Sequence, residues 1–204
     1  MSSREEMLAR IGANKPRLDR PLPVVPHFDA VKPASLVGAF KESLQRMGGT
    51  LLGTGADVLD PQHPSEARIL VQARLVNAKV VCSVVPEIEG NRDIGAIRRP
   101  QELADVDIAI VRASFAVAET GSVLLEDAVL QVNAVAYLAQ HLIVLLDPSD
   151  IVVNLHQAYR RPEFRKRHYA SFHTGPSATA DIEGVLIHGA QGVRSLSVVL
   201  WKRP

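Results

Sequence analysis

Short apolar, β-branched runs alternate with helical segments along most of this sequence, and this alternation constrains the fold more than any other feature. The clearest of these runs are residues 79–84, 107–112, 141–146 and 196–201. Between the runs, the spacing of Leu36, Phe40 and Leu44 predicts one helix, and residues 64–76 predict another. Strands that alternate with helices form a parallel or mixed sheet with helices on both faces. The predicted fold class is therefore α/β.

Composition narrows the class of protein further. The chain has 204 residues, of which 47% are hydrophobic, so we expect a globular protein with a sizeable core. The 23 basic and 22 acidic residues give no general attraction to nucleic acid or anionic lipid. The sequence has no apolar run of membrane-spanning length, and its N-terminus lacks the order of a signal peptide. We therefore expect a cytoplasmic protein that has no membrane span and does not bind nucleic acid.

The first part of the chain, residues 1–33, is expected to stand apart from the rest. The pattern Ser3-Arg-Glu-Glu6 is a capping box, which predicts a short helix that ends at about Ile11. An extended arm follows, because closely spaced prolines occur at positions 21, 23 and 26. An arm of this kind can pack on a partner subunit, so a homo-oligomer is an open alternative. Residues 34–204 are then the α/β domain.

Cys82 is the only cysteine in the sequence. One cysteine cannot form an internal disulfide, a cysteine zinc site or an iron–sulfur cluster held by this chain alone. Because Cys82 lies in the apolar run Val80–Val84, we interpret it as a buried, unreactive thiol. The seven histidines show no spacing typical of a metal site. We therefore expect no metal and no cofactor on this chain.

The segment 115–125 predicts two strands joined by the turn Glu119-Thr-Gly-Ser122. A carboxylate between apolar strands is costly unless it is paired, hydrogen-bonded or used in function. In the functional interpretation, Glu119 is a nucleophile, a general base or an anchor for a ligand hydroxyl. The turn residues Thr120, Gly121 and Ser122 then line the same site, since glycine allows a ligand to approach the backbone. In the alternative interpretation, Glu119 lies exposed on an ordinary β-turn.

The segment 173–192 contains the second candidate site. A turn at Gly175-Pro176 follows a strand, and Ser177 resembles a helix N-cap with Asp181 in the next turn. We therefore predict a short helix after Ser177, whose free N–H groups bind an anion. The alternative is an ordinary helix cap without a ligand. The candidate ligand-binding residues are His173, Gly175, Ser177, Thr179, Asp181, Gly189 and Gly192.

A further helix is predicted to begin at Asp147. The sequence Asp147-Pro-Ser-Asp150 contains a cap, a proline in the first turn and an acid after it. Ile151, Leu155 and Tyr159 give the following residues an apolar face. The basic residues after this helix either bind a phosphate-bearing partner or form a solvated helix end: Arg160, Arg161, Arg165, Lys166 and Arg167.

Three segments taken together resemble the lactate-utilisation (LUD) domain family: Phe115–Ser122, Gly175–Glu183 and Val185–Gly192. The likeness extends in element order from about Leu36 to Trp201. It implies a Rossmann-like mixed or parallel sheet flanked by helices, similar to ribose-5-phosphate isomerase and the CoA transferases. It also implies a role in the oxidation of L-lactate to pyruvate, together with iron–sulfur partner proteins.

This resemblance leads to three alternative functions. The first is an accessory component of L-lactate oxidation that binds a small anionic ligand and leaves the iron–sulfur clusters to its partners. The second is a stand-alone enzyme, similar to CoA transferases or acting on sugar phosphates, in which Glu119 is the acyl acceptor or base and the Ser177 turn binds the anion. The third is a regulatory module that senses lactate or a related acid. The first two place the Glu119 turn and the Ser177 turn together at one edge of the sheet.

Overall fold

The computed structural model describes residues 2–16, 23–26, 33–52, 64–164, 168–182, 185–188 and 191–203. The helices within these ranges are α1 (Ser3–Ala13), α2 (Leu36–Arg46), α3 (Pro64–Leu75), α4 (Asp127–Leu130), α5 (Val135–Leu138) and α6 (Leu155–Ala158). The strands are β1 (Thr50–Leu52), β2 (Val81–Ser83), β3 (Ile108–Arg112), β4 (Phe115–Val117), β5 (Ser122–Glu126), β6 (His141–Leu146), β7 (Ile151–Val152), β8 (Ala170–His173), β9 (Ala178–Ile182), β10 (Val185–His188) and β11 (Ser195–Leu200).

A parallel sheet forms the centre of the fold. Its strand order among the described residues is β1-β11-β6-β3-β2, and every neighbouring pair is parallel. Residues Leu142–Leu146 of β6 are buried without interruption, because a central strand of such a sheet is covered on both faces. This sheet contains the four apolar runs identified in the sequence. The α/β fold class is confirmed.

Different layers cover the two faces of the parallel sheet. On one face, Ala67 and Val71 of α3 pack in a core cluster with side chains of β2, β3, β6 and β11. On the other face, Phe40 and Leu44 of α2 are fully buried, in a cluster that also contains residues of α4 and α5. A second sheet also contributes Ala116 and Val123 to this cluster. Helix α2 therefore contacts both sheets.

The second sheet has the order β7-β4-β5-β8 within the described part of the chain. Strands β4 and β5 form the antiparallel hairpin predicted for residues 115–125, and β8 pairs antiparallel with β5. On the face of this second sheet that points away from α2, Phe115, Val117 and Leu124 are buried against Ala158 of α6. In the β5–β8 register Val123 is opposite His173. The beginning of β5 and the end of β8 therefore lie side by side at the same end of this sheet.

The helix predicted after Ser177 is wrong. Residues Ala178–Ile182 form β9, which pairs antiparallel with β10. In the register of this pair Thr179 is opposite Ile187 and Ile182 is opposite Val185, and β-branched residues have a high propensity for strands. This pairing overrides the local cap signal of Ser177. Glu183 and Gly189 lie outside the described residues.

The prediction of a single helix that begins at Asp147 is also wrong. The Asp147 carboxylate does act as a cap and accepts a hydrogen bond from the Ser149 N–H at 2.9 Å, but the turn that follows is a short 3₁₀ turn, Pro148–Asp150. Strand β7 comes next and pairs parallel with β4. Helix α6 begins only after Asn154, whose side chain accepts from the Gln157 N–H at 2.9 Å. Tertiary pairing with β4 therefore divides the predicted helix.

The N-terminal helix α1 begins one residue earlier than predicted. Its capping box uses Ser2 and Glu5, and none of its side chains is buried. The separation of residues 1–33 from the domain stays a prediction. Of the helices in the described ranges, none is long and apolar enough to cross a membrane.

Two glycine turns lie against the last turn of α2. Gly121, between β4 and β5, has φ 69°, and Gly175, after β8, has φ 73°. A Cβ atom on Gly121 would lie 2.3 Å from the backbone N of Leu44, and a Cβ atom on Gly175 would lie 2.0 Å from the backbone O of Met47. Only glycine fits both the positive φ and the close backbone contact. These two glycines therefore determine how α2 meets the second sheet.

We expect Gly121→Ala and Gly175→Ala each to lower the free energy of unfolding by about 2 kcal/mol or more, because each adds a strained φ and a backbone clash. The measurement is equilibrium unfolding in urea. Gly12→Ala is the control, since nothing lies within 4 Å of its added Cβ and it should change stability by less than about 0.5 kcal/mol. Wild-type stability of both turn variants would contradict the prediction.

Candidate functional site

A cavity of about 630 Å³ opens beside the Glu119 turn, and we call it the turn cavity. The polar residues that line it are Ser43, Arg46, Glu119, Thr120, Ser122 and Thr174. Its apolar lining, which we call the apolar wall, consists of Met47, Leu155, Tyr159 and Phe172. The cavity is therefore built by α2, the β4–β5 turn, α6 and the end of β8.

Glu119 is exposed and held in place by its backbone and its carboxylate. Its N–H donates to the carbonyl O of Val153 at 3.0 Å, and its carbonyl O accepts from the Ser43 hydroxyl at 3.2 Å. Its Oε2 accepts from the Leu155 N–H, at the start of α6, at 3.1 Å. Glu119 also lines a neighbouring cavity of about 380 Å³ together with Glu42 and Arg46. The carboxylate is thus fixed at the border of two cavities.

Three hydroxyl groups in the turn cavity form a hydrogen-bonded row, which we call the hydroxyl chain. Thr120 Oγ1 lies 2.7 Å from Ser122 Oγ, and Ser122 Oγ lies 2.6 Å from Thr174 Oγ1. The chain joins the Glu119 turn to the residue that follows β8. Because each hydroxyl can donate or accept, the row can adapt its hydrogen bonds to a ligand.

Arg46 is a residue of the turn cavity that the sequence did not identify. It is the last residue of α2, and one Nη atom donates to the Ser43 hydroxyl at 2.8 Å. A basic residue in the last turn of a helix is common, because it complements the helix dipole. The sequence around Arg46 therefore contains no signal that separates it from an ordinary helix end.

A second cavity, of about 300 Å³, lies beside the Gly175 turn, and we call it the histidine cavity. The candidate residues that line it are His173, Gly175, Ser177 and Gly192. The backbone N–H of Ser177 is already used, since it donates to the carbonyl O of Val193 at 2.9 Å. As a donor to a ligand, Ser177 therefore offers its hydroxyl and not its backbone N–H.

His173 is mostly buried in this second cavity. Its ring lies 5.0 Å from the ring of Tyr137, measured between centroids, and its Nε2 is buried without a hydrogen-bond partner. Burial lowers the pKa of His173 to about 4, so the imidazole is neutral at pH 7. Nearby, the hydroxyl groups of Tyr137 and Tyr169 are hydrogen-bonded to each other, and burial, followed by this bond, raises the pKa of Tyr169 to about 12.

The two candidate turns line adjacent cavities, and these share Phe172 and Thr174. Glu119, Thr120 and Ser122 belong to the turn cavity, whereas His173, Gly175, Ser177 and Gly192 belong to the histidine cavity. Gly121 allows the β4–β5 turn to lie against the backbone of α2. Thr179 and Asp181 lie on β9, and Gly189 lies outside the described residues.

Two of the arginines after α6, Arg160 and Arg161, make contacts within the protein. Arg161 pairs with Glu163 at 2.7 Å and with Asp150 at 3.4 Å, and Arg160 donates to the carbonyl O of Val25 at 2.7 Å. Residues 165–167 lie outside the described part of the chain. The contacts of Arg161 favour a structural role over phosphate binding.

The described residues include no group of three or more His, Cys, Asp or Glu side chains placed to hold a metal ion. Cys82 is fully buried in β2, and this burial raises the pKa of its thiol. A thiol in this state is a poor nucleophile, in agreement with the structural role predicted for it.

Comparison with known proteins gives two matches. The family model described as the LUD domain matches residues 77–201, a range that includes both candidate turns. Among solved structures, a DUF162 family protein from Deinococcus radiodurans is similar, with a TM-score of 0.57 and 16% sequence identity. This likeness covers 84% of the present chain and 99% of that chain, and at this identity it shows the fold alone. No curated protein matches the chain significantly.

The depressed pKa of His173 predicts a loss of stability in mild acid. The unfolded histidine titrates near its ordinary value of 6.5 and the folded one at about 4, so the unfolded state binds more protons between these values. The stabilisation is complete above about pH 6.5 and is lost as the pH falls toward 4. We expect the free energy of unfolding to fall by up to about 2 kcal/mol from this group between pH 7 and pH 5.

Urea unfolding at several pH values measures this loss. His173→Gln should flatten the dependence in this window, because glutamine does not titrate. His168→Gln, which replaces an exposed histidine, is the matched control and should keep the wild-type dependence. An unchanged pH dependence in His173→Gln would show that the titration of His173 does not contribute to the pH dependence of stability.

Proposed function

The chain belongs to the LUD domain family, as its three motif segments predicted, and on that premise we propose that it is an accessory component of L-lactate oxidation to pyruvate. In this role it binds a small anionic ligand and acts with iron–sulfur partner proteins. In this proposal its functional type is similar to lactate utilisation protein C. The observation that carries the proposal is the family match over residues 77–201, which includes the Glu119 turn, the hydroxyl chain and the Gly175 turn.

The chemistry of the chain supports an accessory role. Conversion of lactate to pyruvate removes two electrons, so a redox group has to accept them. Within these 204 residues Cys82 is the only cysteine, and it is buried. Partner proteins that carry iron–sulfur clusters would supply the redox group. The present chain would supply the binding site, in which Arg46 offers positive charge and the hydroxyl chain offers hydrogen bonds.

Deletion of the gene in its host tests the pathway role. We expect the deletion strain to lose growth on L-lactate and to keep growth on pyruvate, because only the oxidation step is affected. A plasmid copy should restore growth. In the same cells, a tagged chain should co-purify with proteins that contain iron and acid-labile sulfide. Normal growth of the deletion strain on L-lactate would refute the pathway role.

A second candidate function is a stand-alone enzyme that uses Glu119. It is favoured by one observation: the Glu119 carboxylate is exposed, lines two cavities and is held by the Leu155 N–H at 3.1 Å. A fixed carboxylate at a cavity wall can act as a nucleophile toward an acyl group or as a general base. The hydroxyl chain would then orient the substrate.

Glu119→Gln separates this function from the first. Glutamine keeps an acceptor for the Leu155 N–H, so we expect the variant to fold, while turnover of an acyl-CoA or sugar-phosphate substrate falls by about 100-fold or more. Glu42→Gln is the control, since Glu42 is an exposed carboxylate that lines the neighbouring cavity. Equal turnover by the wild type and Glu119→Gln would exclude Glu119 as the catalytic group.

A further inference from the structure

The turn cavity is larger than a site for L-lactate needs to be. Its volume of about 630 Å³ lies within the range of about 300–1,000 Å³ that is typical of sites for small organic molecules. At about 30 Å³ per water molecule, this space corresponds to on the order of 20 waters. A three-carbon acid would displace only a few of them, so a ligand that fills the cavity has a larger body.

The apolar wall indicates what that body is made of. Met47 is 51% exposed and Tyr159 is 61% exposed, although both are large apolar side chains. Leu155 and Phe172 beside them are half-buried. Large apolar side chains that are exposed together at a cavity are typical of a surface that a ligand covers. The body of the ligand is therefore apolar.

Arg46 indicates a carboxylate on the same ligand. It is the one cationic side chain among the described residues that line the turn cavity. Its hydrogen bond to the Ser43 hydroxyl uses one of its N–H donors, and within the described part of the chain no acidic side chain pairs with it. The remaining donors of a guanidinium match the two oxygens of a carboxylate.

Glu119 indicates a hydrogen-bond donor next to that carboxylate. It lines the same two cavities as Arg46, and the Ser43 hydroxyl contacts both residues, because it accepts from Arg46 at 2.8 Å and donates to the Glu119 carbonyl O at 3.2 Å. The ligand group near Arg46 is therefore also near the Glu119 turn. A carboxylate repels a second carboxylate but accepts a hydrogen bond from a donor such as a hydroxyl or an ammonium group. A hydroxyl, unlike an ammonium group, can also accept a hydrogen bond from the hydroxyl chain. The hydroxyl chain adds groups that can donate to or accept from the same ligand hydroxyl.

We propose that the turn cavity binds a 2-hydroxy carboxylic acid with a large apolar side chain. The ligand carboxylate lies on Arg46, its hydroxyl lies between Glu119 and the hydroxyl chain, and its side chain covers the apolar wall. This inference rests on the ligand-binding part of the proposed function and names the class of ligand. It does not depend on the role in L-lactate oxidation.

Calorimetric titration of the full chain with matched probes tests the inference. The probes are 3-phenyllactate, 3-phenylpropanoate, 3-phenyllactamide, L-lactate and inorganic phosphate. We expect 3-phenyllactate to bind about tenfold or more tightly than L-lactate, which lacks the apolar body, and than the amide, which lacks the charge. It should bind about threefold or more tightly than 3-phenylpropanoate, which lacks the hydroxyl.

Variants of the cavity assign the contacts. Arg46→Gln should weaken the binding of 3-phenyllactate by about tenfold or more. It should leave the affinity for the amide unchanged, because the amide carries no negative charge to pair with Arg46. Arg74→Gln removes an exposed arginine of α3 and is the matched control. Tyr159→Ser should weaken the binding of the phenyl probes and leave the affinity for L-lactate unchanged, since L-lactate does not reach the apolar wall. Circular dichroism verifies that each variant is folded.

Several outcomes would overturn the inference. These are equal affinity for L-lactate and 3-phenyllactate, no binding of any probe, tighter binding of phosphate, equal affinity for 3-phenylpropanoate, or full affinity in Arg46→Gln. The growth test stays independent of all of them. If the gene is required for growth on L-lactate but the protein does not bind 3-phenyllactate, only the proposed ligand class is wrong. If the gene is dispensable for growth on L-lactate but the protein binds 3-phenyllactate through Arg46, only the proposed pathway role is wrong.

Discussion

The contact between the last turn of α2 and two glycine turns is the constraint on which the candidate site depends. Gly121 and Gly175 belong to distant parts of the sequence, but the antiparallel pairing of β5 with β8 brings their turns to one edge of the second sheet. A side chain on Gly121 would collide with the backbone of Leu44 in α2, and one on Gly175 with the backbone of Met47, which caps α2. Because α2 packs this closely, Arg46 at its end comes to line the same cavity as Glu119. The site is therefore assembled by backbone packing before any ligand contact is made.

The two adjacent cavities differ in their electrostatics. The turn cavity contains one cation, Arg46, and one carboxylate, Glu119, among its described lining residues. In the histidine cavity, His173 is neutral at pH 7, because burial keeps its pKa at about 4. The two cavities meet at Phe172 and Thr174. Arg46 therefore gives the turn cavity a positive group that can pair with an anion, while the histidine cavity offers hydrogen bonds from an uncharged imidazole.

The parts of the fold that the sequence predicts well are those in which local pattern and tertiary environment agree. The strands of the parallel sheet are apolar throughout because both faces are covered, so residues such as those of β6 are recognisable by composition alone. The β4–β5 hairpin is recognisable by Gly121 between two apolar runs. Predictions failed where a strand pairing overrides a local cap, as after Asp147 and Ser177. Arg46 could not be found, because its importance comes from what α2 packs against.

The wrong prediction after Ser177 changes the chemistry expected of the site. A helix start would leave free N–H groups that bind an anion without any charged side chain. In the β9–β10 pair these groups are instead available to the ladder, and the Ser177 N–H is bonded to Val193. Strong binding of an anion near these turns then calls for a side chain with a positive charge. Arg46 meets that requirement from α2, the helix that both glycine turns contact, so one packing arrangement accounts for the shape of the site and for its charge.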